Sequence, residues 1–239
     1  MACRIVNMSR RSRHHSARSE LIEVAARLLA DDGPDSLSVR RVAAAAGTST
    51  MSVYTHFGSM SGLIQEVVQE GFNRLAREFD RIGRSADPVE DLALYGRVYR
   101  AVATANAHLY SVMFGGRTLA SFKLSEQDRH YGRFNLSKIV ECCGRCIESG
   151  RFHERDAMLL AHHFWLAMHG IATLEIGGYL IEPYPADLVF ETQVVMLMVG
   201  AGDNSLAASE SVRNSAEALA RLNLFDPDCS RLGTGRERL

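Results

Sequence analysis

The residues able to do chemistry lie in three places along this 239-residue chain. Between 48 and 56 the side chains are short and rich in hydroxyls: Thr48-Ser49-Thr50-Met51-Ser52-Val53-Tyr54-Thr55-His56. Such groups suit hydrogen bonds to phosphate oxygens and to base edges. Cys142, Cys143 and Cys146 form the second group. Cys142 and Cys146 are four apart and share a helical face, so with His162 or His163 they could hold zinc, or as thiolates sense oxidants. No loop of the Cys-x-x-Cys type supports a metal site, and free cysteine is a common core filler, so no metal and no cofactor is expected. The third group is Trp165-Leu166-Ala167-Met168-His169-Gly170, where a histidine in an apolar run needs a polar partner. There is no glycine-rich phosphate loop, nucleophile elbow or paired acid–base constellation, and the chain is read as not an enzyme.

The elements that must carry these groups are helices. Apolar residues recur at helical spacing almost throughout, and strand signals are nearly absent. Ala17, Leu21, Val24, Ala25, Leu28 and Leu29 make one stripe, ended by Asp31-Asp32-Gly33-Pro34. Val39, Val42, Ala43 and Ala46 make a second, with Ser38 before it as N-cap and Gly47 after it as stop. A short segment over 49–55 and a long stripe over 58–82 follow. Five further helices are expected near 88–105, 107–114, 125–149, 156–178 and 185–200, and a last one over 205–222. The fold class is all-α. Ala86-Asp87-Pro88 breaks the chain, which places a flexible basic arm at 1–16, a first helical domain at 17–85, a second helical domain at 86–224 and a disordered tail at 225–239.

Hydrophobic residues make up 46% of the chain, enough for a sizeable core, and the net charge is −1. The charge is unevenly placed. Residues 1–18 carry Arg4, Arg10, Arg11, Arg13 and Arg18 and no carboxylate, so an anionic partner near this end competes with a plain solvated tail. The cysteine spacing is no disulfide framework and fits a reducing cytoplasm. The first residues have no apolar run of a secretory signal. No stretch is expected to reach the ~20 apolar residues of a membrane span.

Residues 37–57 read as two short helices around a tight glycine turn, the pattern of a helix-turn-helix. An ordinary helical hairpin fits the spacing equally well. The particular residues decide more. Ala43, Ala46-Gly47, Ser49, Val53, Tyr54, His56-Phe57 and Leu63, behind Gly33 and the helix over 17–31, resemble the TetR family of transcription regulators across about 17–65. The resemblance implies an all-helical dimer with a three-helix head. Ser38, Thr48, Ser49, Thr50, Met51, Ser52, Tyr54 and His56 would then face double-stranded operator DNA, with Tyr54 and His56 on phosphates. Met60 stands where the family commonly has lysine, and Thr48 and Met51 also depart from its habits, which bears on the operator sequence.

Beyond the head, the Trp165…His169-Gly170…Leu174 run and Tyr110-Met113-Phe114 resemble a subset of that family. The resemblance implies a small-molecule effector. Tyr110, Met113, Phe114, Phe134, His162, Trp165, Met168 and His169 are candidates to touch it, and each is equally explained as core packing. Their aromatic and methionine content points to a mainly apolar effector. The helices near 156–178 and 185–200 would pair with their twins in a homodimer. The reading is a cytoplasmic, ligand-released repressor on a palindromic operator. The alternative keeps the head and replaces the ligand with oxidation of the cysteines.

Overall fold

The computed structural model describes residues 2–33, 37–114 and 126–224, with the side chains of 2–16 and 127–131 left aside. The expected tail at 225–239 lies outside this range. Among the described residues ten α-helices follow one another: α1 (Ala2–Asp32), α2 (Val39–Ala45), α3 (Thr50–Phe57), α4 (Met60–Phe79), α5 (Pro88–Ala105), α6 (Ala107–Met113), α7 (Glu126–Glu148), α8 (Ala157–Ile176), α9 (Ala186–Gly200) and α10 (Ser205–Arg221). Among the described residues there is no strand, and the all-helical expectation holds. One difference is at the start. α1 begins at Ala2, so residues 2–16 are helical where a flexible arm was expected. Ala2–Asp32 contains neither glycine nor proline, and nothing local stops a helix there.

The chain forms two compact units, Met1–Arg74 with Ala103–Phe134, and Leu75–Val102 with Asn135–Leu239. α4, α5 and α7 each contribute residues to both. In the first unit Leu21, Ala25, Ala26 and Leu29 of α1, Val42 of α2, Val53 of α3 and Leu63, Val67 and Val68 of α4 form the core. Arg74 of α4 ties this unit together through Glu23 of α1, Glu70 and the Asn106 carboxamide oxygen.

The second unit is held by three arginines, one buried and two half-buried. Arg97 of α5, only 8% exposed, donates to Ser215 Oγ at 2.8 Å and to the Val212 carbonyl at 3.1 Å on α10, and pairs with Glu191 of α9 at 2.8 Å. Arg100 binds both oxygens of Glu175 on α8, at 2.5 and 2.9 Å, and Asp187 on α9 at 2.5 Å. Arg151 grips Asp203 with two bonds of 2.7 Å and reaches Asp87 at 3.0 Å. α8 is, by length and composition, apolar enough to cross a membrane, contrary to the sequence expectation. Here it packs on α9 and is pinned through Glu175 to Arg100.

Candidate nucleic-acid interface and ligand-contact residues

The head is delimited by its caps. Ser38 is extended and accepts the Arg41 N–H on Oγ at 3.2 Å, which starts α2. Gly47 at φ +61 takes the left-handed conformation that lets the Thr48 N–H return to the Ala43 carbonyl at 2.9 Å. Ser49 then accepts the Ser52 N–H on Oγ at 3.3 Å and starts α3. Val53 is fully buried, as is Val42 of α2. With the Val53 side of α3 fixed inward, the other side is open. Thr48, Ser49 and Thr50 are exposed, Met51 is 70% and Tyr54 51% exposed, and Ser52 and His56 are half-buried. The Thr55 hydroxyl is engaged inside the helix, donating to the Met51 carbonyl at 2.8 Å.

The same surface lacks negative charge. Residues 36–65 contain no Asp or Glu and carry Arg40 and Arg41, both exposed. Phosphate approaches such a face without like-charge repulsion. Arg41 pairs with Asp32 at 2.5 Å. Arg18, counted with the basic arm in the sequence, is engaged in the head: it pairs with Glu66 and lies 5.8 Å over the Phe57 ring. Gly62 was not singled out either. A Cβ there would stand 2.2 Å from the Phe57 carbonyl oxygen, so only glycine lets α4 start against the end of α3. A lone glycine one turn into an amphipathic helix was the available signal.

The residues assigned to ligand contact divide between the units. In the first, Tyr110 and Met113 are buried, Phe114 meets Tyr110 at 5.5 Å and Phe72 at 5.6 Å edge to face, and Met113 lies on Gly71. Phe134 is 52% exposed. In the second, His162, Trp165 and His169 form a ladder on one face of α8, with ring centroids 6.5 and 6.1 Å apart. Met168 is buried over Gly96 with Phe164 and Phe190. His169 finds the polar partner it needs: Nδ1 is 3.4 Å from the Tyr99 hydroxyl. Burial lowers its pKa and keeps the ring neutral.

Cys142, Cys143 and Cys146 are all buried on α7. Cys143 and Cys146 do stand at Cys-x-x-Cys spacing, but within a helix. Burial pushes the Cys143 thiol up to about 12, and a hydrogen bond with Cys142 together with burial pushes Cys146 up as well. Protonated buried thiols are poor nucleophiles, so the geometry gives the oxidation alternative no support. No group of three or more metal-ligating side chains occurs among the described residues.

α8 and α9 leave apolar side chains in solvent. Leu159, Leu166 and Leu174 follow one face of α8, and Leu188, Met196 and Val199 one face of α9, all at least 41% exposed. Val194 of α9, by contrast, is fully buried within the chain.

Comparison with known proteins bears on both halves. Residues 21–67 match the family described as bacterial regulatory proteins, tetR family, and residues 92–197 the family described as tetracyclin repressor-like, C-terminal domain. The HTH-type transcriptional repressor KstR2 of Mycobacterium tuberculosis is 31% identical over 152 residues, which span 63% of this chain and 76% of that protein. A structure of a Rhodococcus sp. RHA1 protein with unknown function superposes with a TM-score of 0.65 at 26% identity, over 78% of this chain and 96% of its own. AibR in complex with isovaleryl coenzyme A and operator DNA superposes with a TM-score of 0.59 at 19% identity, over 76% and 98% of the two chains, a likeness of fold.

Proposed function

Because the chain belongs to the TetR family of bacterial transcription regulators, we propose that it is a ligand-responsive repressor that binds a palindromic operator as a homodimer and is released by a small, mainly apolar effector. The observation that carries the reading is α3. Its Val53 side is locked inward, and its outward Thr50, Met51 and Tyr54 belong to a stretch with no carboxylate. Ser38, Thr48, Ser49, Ser52 and His56 complete the contact set, with Tyr54 and His56 on phosphates. Two copies of α3 meet successive major grooves when they lie one DNA turn apart, ~34–36 Å. The exposed stripes of α8 and α9 are the faces on which two copies would join. The protein would act in the cytoplasm, where its DNA is.

The effector acts by holding the dimer at another spacing, which requires a higher affinity for the released state than for the DNA-bound state. Its contacts are Trp165 and His169, with His162 and Met168 as packing around it. A neutral imidazole beside Tyr99 suits an uncharged hydrogen-bonding group on an apolar body. AibR supports the pairing of the two activities, since that protein is seen with a small molecule and operator DNA together.

The test is selection of binding sites from random double-stranded DNA with the purified protein. A palindrome whose half-sites lie one turn apart is expected. Failure to enrich any sequence at moderate salt would remove the proposal. With the operator known, lipophilic compounds that quench the single Trp165 should weaken operator binding by the same factor by which DNA weakens theirs.

A further inference from the structure

A cavity of about 200 Å³ opens in the second unit between the end of α4, the turn after it, α5 and α7. Neither Trp165 nor His169 lines it, and no residue of α8 or α9 does. It therefore lies apart from the effector contacts and off the faces proposed to join two copies. Its floor is made of the buried groups Phe79, Ile82 and Cys142, with the Tyr95 ring edge-on to Phe79 at 5.0 Å.

Five charged side chains line the same cavity. Asp80 and Glu141 are exposed and already paired, with Lys138 and Arg84 respectively. Lys138 and Arg145 are half-buried in the wall, on the face of α7 that also carries Cys142. Arg145 donates from Nη1 to Asp91 at 2.6 Å and from Nη2 to the Ser85 carbonyl at 2.9 Å. Its Nε has no acceptor among the described residues. Asp91, buried behind it, is spent: its two oxygens also accept the Ser85 N–H at 3.2 and 3.0 Å. The Tyr95 hydroxyl likewise has no hydrogen-bond partner among the described residues. Burial above all pushes it up to about 12, so it remains a donor at neutral pH, and Arg145 works against that shift as a neighbouring positive charge does.

We propose that this cavity binds a small organic monocarboxylate, with its apolar body on the Phe79–Ile82–Cys142 floor and its carboxylate accepting from the Tyr95 hydroxyl and the Arg145 Nε–H beside Lys138. The unused groups of the wall are donors, and an ionised acceptor makes the stronger bond with each. A cation would find both lining carboxylates already paired. Asp80 and Glu141 are no barrier to the anion. Exposed ion pairs hold weakly, so Asp80 can turn out into solvent and leave Lys138 to the ligand. The volume is below the ~300–1,000 Å³ of sites for drug-sized ligands, so a ligand of about nine or ten heavy atoms is the right size.

The test is calorimetric titration of the full chain, without DNA, with benzoate, with its neutral isostere benzamide and with benzylammonium. Benzoate is expected to bind and the other two not. Tyr95→Phe removes one donor and keeps the ring against Phe79, and it should weaken benzoate about fivefold. Lys138→Gln removes a charge from the wall and should weaken benzoate about tenfold, while the thermal transition and operator affinity stay as in the parent. No heat from benzoate at millimolar concentration, binding of benzamide or benzylammonium as tight as that of benzoate, or a benzoate affinity left unchanged by either substitution each overturns the proposal. None of these outcomes bears on the effector reading, because the titrations contain no operator and neither Trp165 nor His169 lines this cavity.

Discussion

In the head, the groups that start and stop helices are near neighbours in sequence. Ser38 holds the N–H of Arg41, Ser49 that of Ser52, and Thr48 returns to Ala43. In the C-terminal unit the deciding contacts cross the chain. Arg97 reaches Ser215 over 118 positions, Arg100 reaches Glu175 over 75 and Arg151 reaches Asp203 over 52. The head turns its polar groups outward to a partner, and the C-terminal unit turns them inward to one another. A DNA reader can thus be built from local turns plus a few apolar anchors. A body that must hold helices at set spacings needs directional, long-range ties, and a tie is costly to break where it leaves a buried charge behind, as at Arg97 or Asp203.

The contrast is most sharply tested at the exposed stripes of α8 and α9. Leu166→Asp adds a charge to a face that is solvated in the single chain, so the fold should survive. If that face is the dimer seam, the buried charge costs several kcal/mol, and operator affinity should fall by more than a hundredfold while sedimentation reports a monomer. A stable dimer with parental DNA affinity would move the seam elsewhere. Val194→Asp is the control for the other outcome, since Val194 is fully buried in the chain and the substitution should unfold the unit itself.

In the head, the largest effect is expected at Gly62. Gly62→Ala puts a Cβ against the Phe57 carbonyl, and overpacking of this kind costs ~1–3 kcal/mol. Thermal unfolding should show the loss, with DNA binding weakened because the end of α3 must shift. An unchanged transition would mean that the α3–α4 corner yields freely and that the head is looser than its caps suggest.

How much of this was legible beforehand follows from the same contrast. Ser38, Gly47, Ser49 and the Val42 stripe were readable because cap chemistry and helical spacing are local signals. The helix at 2–16 was not, since a run of arginines resembles a solvated tail and no breaker marks it either way. Arg97, Arg100 and Arg151 were also missed, because a charged residue in an amphipathic stripe shows nothing of a carboxylate fifty to a hundred positions away. Phe134 carried the aromatic signal of a cavity wall, yet much of its side chain lies in solvent.

Two smaller effects refine the comparison. Tyr54→Phe removes a hydroxyl from an exposed face and keeps the ring. Operator affinity should drop by ~0.5–1.5 kcal/mol, the worth of one hydrogen bond, and by the same amount for every sequence if the partner is a phosphate. A loss confined to particular sequences would assign Tyr54 to base contact instead. In the C-terminal unit, burial lowers the His169 pKa below its ordinary 6.5. Above 6.5 the ring is neutral in both folded and unfolded chains. As pH falls from there toward the folded pKa, the unfolded chain takes up a proton that the folded one refuses, and stability declines. His169→Gln should flatten that part of the stability–pH curve. Parallel curves for the two proteins would place the imidazole in contact with solvent.

The ties of α10 also bear on how the protein is made. Synthesis runs from the first residue onward, at roughly 5–20 residues per second. The first unit has all its residues once Phe134 has been made and can settle early. Arg97 emerges with α5, but the Ser215 and Val212 acceptors that satisfy it are translated 118 and 115 residues later, a delay on the order of ten seconds. Through that interval α5 carries a guanidinium whose partners do not yet exist, and Arg151 waits in the same way for Asp203 and Ser211. The nascent chain can therefore present a formed DNA reader before its C-terminal body closes, and that closure waits on the last helix.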